Sequence, residues 1–427
     1  MEWARAVERT AAGPAERQRE PPAVAGRTPR VAMLASVFPP SIGGIQSHTL
    51  RLSQELVDKG ADVHVITRVH LGASPFERMG SVRVHRVGLA NGRGPVRSAA
   101  YIAGALRSVL QLADAGHVEI LHAHQLLSPA TVGLLAAPLT GLPLIVNPHA
   151  CGPLGDVGVL SATTVGRARL RALVARADAF VAVSRLIREE LLAAGAPPHA
   201  VWDIPNGVDT DRFSPAPAEE KQMIRRALGL PGGQLAVFVG RLSAEKGCDV
   251  LLRAWPQLVA VVPGARLCLV GSGEEEPRLE EMARALRVEG SVIFTGGVMD
   301  TAAHMRAADL AVLPSRTEGM PVALLEAMSC AVPVVATRVG GSAEVLEHAV
   351  TGTLVPPESP TALARAMADA LLDGGPAKAR AEAARAHVLA RHAIHVVASR
   401  YLSLYQALLH PRGARRALAL ASGPSAR

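Results

Sequence analysis

The feature that most limits the fold is an alternation of short apolar runs with longer stretches of helical periodicity, which occurs twice along the chain. The first series begins with Val-Ala-Met-Leu-Ala-Ser-Val-Phe at Val31 and turns at Gly43-Gly44. After this turn, residues recur three and four positions apart, as on one face of a helix, at Ile45, Thr49, Leu52 and Leu56. Repeated β-α-β units of this kind predict a parallel sheet with helices on both faces.

Each series supplies enough strands for a sheet of its own. In the first we predict strands at 31–38, 62–67, 82–87, 118–122, 144–147 and 179–183. In the second we predict strands at 235–240, 266–270, 292–295, 310–314 and 332–336. Between them, the segment 204–217 is dense in Pro, Asn and Gly turns and is predicted to be a linker. The predicted fold class is α/β, with two doubly wound Rossmann-like domains facing a cleft where ligands bind.

Length and composition agree with two domains and define their limits. The chain has 427 residues, which is about two to three times the usual domain size. We expect one domain at 30–205 and a second at 206–395. Residues 1–29 and 411–427 lack apolar periodicity, so we expect two flexible tails, of which the second is basic.

Charge and residue content exclude several classes of protein. The formal net charge of +8 favours anionic partners, but three Trp, three Tyr and six Phe are too few for base stacking, so we expect no nucleic-acid partner. No uninterrupted apolar stretch approaches the roughly 20 residues of a membrane span. No apolar signal segment is seen, so we expect a cytoplasmic protein, with peripheral contact to an anionic membrane as an open option. Four scattered cysteines are predicted to be reduced core thiols, Cys151, Cys248, Cys268 and Cys330.

Several candidate residues of the first half lie where strands end. Gly43 and Gly44 precede a helix, where glycine lets the backbone approach a phosphate, although a plain tight turn is an equally good interpretation. His122 and His124 lie on the same face of a strand, but no third ligand is visible, so we expect no metal and interpret His122 as a core residue. His149 stands in an irregular loop at the cleft and could contact a sugar hydroxyl or the acceptor.

Charged residues of the second half form two groups. Arg241 and Lys246 follow a strand and bring two cations to the cleft edge, where they suit a diphosphate. Glu318 ends a loop after another strand, and Glu326 lies eight positions further on. If a helix begins near Met320, Pro321 lies in its first turn and the positive end of the helix faces the cleft.

These motifs together resemble the retaining glycosyltransferases of family four, which have the GT-B fold. The resemblance is carried by Gly-Arg-Leu-Ser-Ala-Glu-Lys-Gly at 240–247, Leu-Val-Gly-Ser-Gly at 269–273, Phe-Thr-Gly at 294–296, the segment 318–326 and Pro-Val-Val-Ala-Thr-Arg-Val-Gly-Gly at 333–341. It extends from Val31 to about His410 and is strongest in the second domain. It is specific for the family and much less so for the substrate.

The resemblance implies a role for each matching residue. Arg241 and Lys246 would hold the donor diphosphate, Glu318 would lie near the transferred sugar, and Glu326 would bind the ribose hydroxyls. The remaining donor-binding positions would be Gly319, Met320, Val322, Leu325, Val298 beside the nucleobase, and Gly271. Gly43, Gly44 and His149 would come from the acceptor domain, 30–205, across the cleft from the donor domain, 206–395. One position departs from the family pattern: Ala150 follows His149, where many relatives have Gly or another small polar residue. The resemblance also implies that the last helix, 396–410, packs on the first domain through Tyr401 and Tyr405.

The resemblance implies retaining, metal-independent transfer of a hexosyl-type group from a nucleotide-diphosphate sugar to a glycan or lipid-linked acceptor. Such a role belongs to cell-envelope, exopolysaccharide or glycolipid synthesis, with no cofactor. We expect a UDP-sugar first, with GDP- and ADP-sugars as alternatives, because UDP is the commonest donor nucleotide in the family. Two other functions remain open: a nucleotide-sugar 2-epimerase of the same architecture, and a non-catalytic nucleotide-sugar binding protein.

Overall fold

The first of two sheets explains how the N-terminal half is built. The computed structural model describes residues 28–91 and 94–410, so the predicted tails lie outside the described residues except for 28 and 29. The strands of this sheet are β1 Arg30–Ala35, β2 Asp62–Arg68, β3 Phe76–Met79, β4 Val82–Val87, β5 Ile120–His124, β6 Leu144–Asn147, β7 Ala179–Ala182 and β8 Val201–Asp203. Their order is β3-β4-β2-β1-β5-β6-β7-β8, and all pairs are parallel except β3 with β4. The chain therefore winds outward in both directions from β1, and the carboxyl ends of β1 and β5 form the switch point at which such folds bind ligands.

Helices cover both faces of this sheet because their apolar stripes require burial against it. They are α1 Gly44–Asp58, α2 Gly94–Asp114, α3 Ser128–Thr140, α4 Asp156–Ser161, α5 Thr164–Arg176 and α6 Arg185–Ala193. In α1, Thr49, Leu52 and Leu56 of the predicted face are buried, whereas Ile45 is half-buried.

The second sheet is smaller and wholly parallel. Its strands are β9 Leu235–Val239, β10 Arg266–Val270, β11 Val292–Phe294, β12 Leu310–Leu313, β13 Val334–Thr337 and β14 Thr353–Val355, in the order β11-β10-β9-β12-β13-β14. The helices are α7 Ala218–Ala227, α8 Cys248–Val261, α9 Glu276–Ala285, α10 Ala302–Ala307, α11 Val322–Ser329, α12 Gly340–Val345, α13 Pro360–Leu372 and α14 Gly374–Arg391. Short 3-10 turns occur at Pro198–Ala200, Ala244–Lys246 and Glu289–Ser291. The α/β class and the pair of doubly wound sheets are therefore as predicted.

The last helix, α15 Ile394–Leu409, leaves the second sheet and packs on the first. The hydroxyl of Tyr401 donates to Asn147 Oδ1 at 2.9 Å, and the hydroxyl of Tyr405 lies 2.9 Å from His122 Nδ1. Both tyrosines are completely buried. This helix begins two residues earlier than expected, and the expected packing of the two tyrosines is confirmed.

Some local predictions differ from the structure. The first strand ends at Ala35 rather than at Phe38, so a loop of eight residues separates it from α1. Strands β3, β8 and β14 were not predicted, because they have only three or four residues and β3 alternates exposed and half-buried positions without an apolar run. Helix α11 begins at Val322, and Pro321 is its N-cap rather than a residue of its first turn. The four cysteines are buried and free, as predicted.

Candidate functional site

Lys246 and Glu318, two candidate donor-site residues of the second half, are hydrogen-bonded to each other. Lys246 ends the 3-10 turn after β9 and lies 2.7 Å from Glu318 Oε1, and the hydroxyl of Ser315 donates to the same oxygen at 2.7 Å. Glu318 is only 8% exposed, whereas the side chain of Lys246 keeps 25% of its surface. The carboxylate is therefore fixed by two donors while the ammonium group still faces the cleft.

An ion pair behind these residues fixes the loops that carry them. Arg316 binds both oxygens of Asp249, at the start of α8, with two distances of 2.9 Å, and its main-chain N–H donates to the carbonyl of Glu245. A bidentate pair of this kind sets both the spacing and the orientation of the two loops. Arg241, by contrast, is exposed at the edge of the cleft.

Close backbone contacts require glycine at two of the predicted donor-binding positions. A Cβ on Gly319 would overlap the carbonyl oxygen of His149, which belongs to the first sheet's side of the cleft. A Cβ on Gly271 would overlap the carbonyl oxygen of Gly240, where the loops after β9 and β10 meet. These loops therefore approach each other as closely as backbone permits.

Glu326 lies on α11 in a separate, drier environment. It is 7% exposed, and burial raises its pKa to about 7, while Arg212 and a hydrogen bond from Thr301 oppose this shift. Arg212 in turn binds Asp300 at 2.6 Å. This carboxyl group therefore exchanges its proton near neutral pH, unlike an exposed glutamate.

The other predicted donor-binding residues occupy different positions around α11. Met320 lies at the loop before the helix, and its carbonyl oxygen accepts a hydrogen bond from Asn206 Nδ2 at 3.0 Å. Val322 is half-buried at the first turn, and Val298 is half-buried in the loop after β11. Leu325 is fully buried, and its side chain packs in the core, so the structure does not bring that side chain to the cleft.

His149 belongs to a cluster of buried histidines. Its Nε2 lies 3.0 Å from His124 Nδ1 with the two rings stacked, and the ring of His48 is 6.2 Å away. Its Nδ1 has no hydrogen-bond partner among the described residues. Burial, reinforced by the neighbouring imidazoles His124 and His48, holds the pKa of His149 well below its ordinary value. The ring is therefore neutral at pH 7 and has one nitrogen free to bind a ligand.

The two-glycine turn closes the site from the first sheet. A Cβ on Gly44 would lie 3.6 Å from Cβ of Val322, so the N-termini of α1 and α11 face each other across the cleft. Beside them, Ile42 approaches Gly297, where a Cβ would lie 3.1 Å from the Ile42 side chain. Two helix N-termini offer unpaired N–H groups and two positive dipole ends to the same small space.

Several residues of the site were missed by the sequence analysis. Asp156, at the start of α4, accepts a hydrogen bond from the main-chain N–H of His149, and burial raises its pKa to about 6. Asn206 joins the linker to Met320, and Cys151 directs its thiol to the carbonyl of Glu318 at 3.3 Å. The turn Pro-Asn-Gly at 205–207 was a usable signal for Asn206, whereas only the folded structure brings Asp156 and Cys151 to the site.

Residues 28–91 and 94–410 contain neither a candidate metal site nor a helix that could span a membrane. No group of three or more His, Cys, Asp or Glu side chains there is arranged to hold a metal ion. In the same residues, no helix is both long enough and apolar enough to cross a bilayer.

Comparison with known proteins gives the family. Residues 220–387 match the model of glycosyl transferases group 1, and residues 42–212 match that of Glycosyltransferase Family 4. The D-inositol 3-phosphate glycosyltransferase 2 of Catenulispora acidiphila is 36% identical over 77% of this chain and 82% of its own. A GDP-mannose-dependent alpha-(1-6)-phosphatidylinositol monomannoside mannosyltransferase of Mycolicibacterium smegmatis is 32% identical over 83% of this chain and 92% of its own.

A solved structure supports the same assignment at the level of the fold. The sucrose-phosphate synthase of Thermosynechococcus elongatus superposes with a TM-score of 0.76 at 23% identity, covering 90% of this chain and 99% of its own. With this architecture and these two family matches, the chain belongs to the family 4, group 1 glycosyltransferases of the GT-B fold.

Proposed function

We propose that this glycosyltransferase moves a sugar from a nucleotide-diphosphate donor to a glycan or lipid-linked acceptor, with retention at the anomeric carbon and without a metal. The observation that carries the proposal is the hydrogen-bonded group Lys246, Glu318 and Ser315 facing the N-terminus of α11. It combines fixed positive charge for a diphosphate with a buried carboxylate beside it. Departure of the diphosphate needs stabilisation of developing negative charge more than it needs a strong base.

In the proposed mechanism, Lys246, Arg241 and the dipole of α11 bind the diphosphate, and Glu318 accepts hydrogen bonds from the transferred sugar. The bond from the anomeric carbon to the phosphate oxygen breaks, and the acceptor oxygen attacks from the same face. The departing phosphate takes the acceptor proton, so no separate base is required. His149 donates or accepts a hydrogen bond through Nδ1, because its Nε2 is already bonded to His124.

We assign the remaining donor contacts to the second sheet's side of the cleft. The carboxylate of Glu326 binds the ribose hydroxyls, while the main chain near Gly319, Met320, Val322 and Leu325 contacts sugar and phosphate. Val298 and Gly271 border the nucleobase end. Gly43 and Gly44 complete the site from the acceptor side, since Gly44 faces Val322 directly.

For the donor we propose a UDP-sugar first, with a GDP-sugar second and an ADP-sugar third. The Mycolicibacterium smegmatis relative is named as GDP-mannose-dependent, which supports the second choice. For the acceptor, both relatives are named after an inositol that carries phosphate, free in one and within a lipid in the other.

A nucleotide screen followed by a variant assay tests the proposal. Thermal unfolding is measured with UDP, GDP, ADP, CMP and their sugar conjugates, because a ligand of the folded state raises the melting temperature. Lys246→Ala and Glu318→Ala are then assayed for transfer, with circular dichroism to verify folding. Normal turnover in both folded variants would contradict the proposal, and product formed without an acceptor would indicate a nucleotide-sugar 2-epimerase instead.

We also propose peripheral contact with an anionic membrane, which would suit a lipid-linked acceptor. This proposal is supported by the chain's net charge of +8, because positive charge attracts a protein to anionic lipids. In this proposal Arg412, Arg415 and Arg416, which lie outside the described residues, contribute to the contact. Sedimentation with anionic vesicles at low salt, and release at high salt, is the expected result; no sedimentation at low salt would refute it.

A further inference from the structure

Three arginines converge at the carboxyl ends of β2 and β5, beside the histidine cluster but outside the donor-binding residues. Arg68 ends β2, and its Nη2 donates to Ser98 Oγ at 3.3 Å and Ser128 Oγ at 3.1 Å. Arg97 adjoins Ser98 in the first turns of α2. Arg169, on α5, directs its Nη2 to the carbonyl of Leu126 at 3.5 Å. The cluster therefore surrounds the segment 126–128 that follows β5.

None of these three arginines forms an ion pair with a carboxylate among residues 28–91 and 94–410, although Asp156 acts on Arg169 at longer range. The Nε atoms of Arg68, Arg97 and Arg169 are buried and have no hydrogen-bond partner. Burial lowers the pKa of Arg68, Arg97 lowers it further, and Tyr101 opposes the shift. The pKa of Arg169 is also lowered by burial, against an opposing effect from Asp156.

Buried arginines elsewhere in the chain are arranged differently. Arg225 binds Asp309 at 2.6 Å, and Arg86 binds Glu77. Partial burial of a guanidinium group costs free energy that a nearby carboxylate ordinarily offsets. Three such groups without an ion pair indicate that an anionic ligand supplies the missing negative charge.

The position of the cluster restricts which ligand this is. Segment 126–128 begins two residues after His124, which contacts His149, so the arginines adjoin the first sheet's part of the cleft. Lys246 and Arg241, which we assign to the donor diphosphate, lie on loops of the second sheet. The donor therefore has its own cations, and the three arginines are available to the acceptor.

We propose that Arg68, Arg97 and Arg169 form a phosphate-binding pocket that recognises a phosphate ester on the acceptor. This inference rests on the proposed function, since it takes the first sheet as the acceptor side. Guanidinium groups match phosphate oxygens with paired N–H donors, which makes arginine the preferred residue for such a site. A soluble phosphorylated polyol and a phospholipid head group share this chemistry.

The first test is calorimetric titration with inorganic phosphate, in the presence of saturating UDP or GDP to occupy the donor diphosphate site. We compare Arg68→Gln, Arg97→Gln and Arg169→Gln with the matched controls Arg107→Gln on α2 and Arg171→Gln on α5, both of which are exposed. Each pocket variant should bind phosphate about tenfold to a hundredfold more weakly, as expected for loss of one charge-assisted bond. Both controls should bind as the unmodified protein does.

A second measurement identifies the source of the phosphate. Transfer is assayed with myo-inositol 1-phosphate, with myo-inositol, and with vesicles of equal parts phosphatidylcholine and phosphatidylinositol. The pocket variants should raise KM for the phosphorylated acceptor that is used, soluble or in vesicles, without changing the nucleotide Kd. Arg169→Lys and Arg97→Lys, which keep the charge, should recover part of the affinity.

The proposal and the proposed function fail in different ways. Phosphate affinity that is equal in pocket and control variants, or absent in the unmodified protein, overturns the phosphate pocket. Equal use of myo-inositol and its phosphate also overturns it. Absence of any nucleotide-induced stabilisation overturns the donor assignment, and the phosphate titration without nucleotide then still tests the arginines.

Discussion

The ammonium group of Lys246 lies 2.7 Å from Oε1 of Glu318, across 72 positions of sequence. The family resemblance implies that Lys246 binds the donor diphosphate and that Glu318 lies near the transferred sugar. Their contact means that each one positions the other, and that Ser315 shares the carboxylate with Lys246. A substitution of either residue therefore affects both parts of the proposed donor site.

Lys246→Gln should lower kcat/KM by roughly a hundredfold to a thousandfold, the usual effect of removing one strong donor to a transition-state anion. Lys246→Arg should retain more activity, because it keeps the charge but not the geometry. Steady-state kinetics with the best donor from the nucleotide screen measures both variants. Lys378→Gln, which alters an exposed lysine, is the control and should be normal; activity of Lys246→Gln equal to this control would refute the role.

Gly319→Ala should impair closure of the cleft. The added Cβ would overlap the carbonyl oxygen of His149, so the two loops must separate to accommodate it. We expect a large loss of transfer activity, a slightly larger radius of gyration by X-ray scattering, and little change in the melting temperature. Gly290→Ala, at a position with open space around it, is the matched control. A fully active Gly319→Ala would show that this close approach is dispensable.

Tyr405→Phe should destabilise the packing of α15 on the first sheet. Removal of the hydroxyl leaves His122 Nδ1 buried without its partner, at a cost of about 1 to 3 kcal/mol in the free energy of unfolding. Urea unfolding followed by tryptophan fluorescence measures this loss. Ser403→Ala, on the same helix, changes a hydroxyl that bonds only within the helix and should have a much smaller effect. Equal stability of the two variants would mean that the contact contributes nothing.

The fold was predictable from the sequence because its main strands are apolar runs of four or more residues separated by periodic helices. Strands such as β4, β6 and β10 were predicted with their observed bounds. The three missed strands are too short, or too evenly exposed, to produce that pattern. Local sequence also did not distinguish residues 36–38, which begin the loop before α1, from an extension of β1.

The site was predictable only as far as each motif is local. The segment from Arg241 to Lys246 and the pair of carboxylates eight positions apart can be recognised along the chain. The contacts of His149 with His124, and of Arg68 with Ser128, join different strands and helices. Which residues meet in such contacts depends on the order of strands in the sheet, and this order was not predicted from the sequence.

Buried histidines should make the protein sensitive to acid. Burial lowers the pKa of His48 to about 4 and that of His122 to about 3, from an ordinary value of 6.5. Below pH 6.5 the unfolded chain therefore binds protons that the folded protein does not, and stability falls as the pH decreases toward 4. In His48→Gln, the loss of unfolding free energy between pH 7 and pH 4 should be smaller by about 2 to 3 kcal/mol.

The control variant for His48→Gln is His395→Gln, which changes an exposed histidine on α15. Urea unfolding at a series of pH values should give this control the same pH dependence as the unmodified protein. If His48→Gln also follows that curve, the imidazole of His48 is not excluded from protonation in the folded state.

Glu326 should make the pH dependence of stability opposite to that of the buried histidines, and its ionisation should control donor binding. Because burial raises its pKa to about 7 from 4.5, the folded protein keeps a proton that the unfolded chain has lost, so this group's contribution to stability falls as the pH rises from 4.5 to 7. The loss approaches about 3 kcal/mol and should be absent in Glu326→Gln.

Only the ionised group accepts hydrogen bonds from both ribose hydroxyls, so nucleotide affinity should rise about tenfold as the pH passes through 7. Calorimetry at pH 6 and pH 8 measures this change, with the exposed Glu347→Gln as control; a pH-dependent affinity retained in Glu326→Gln would assign the titration to another group.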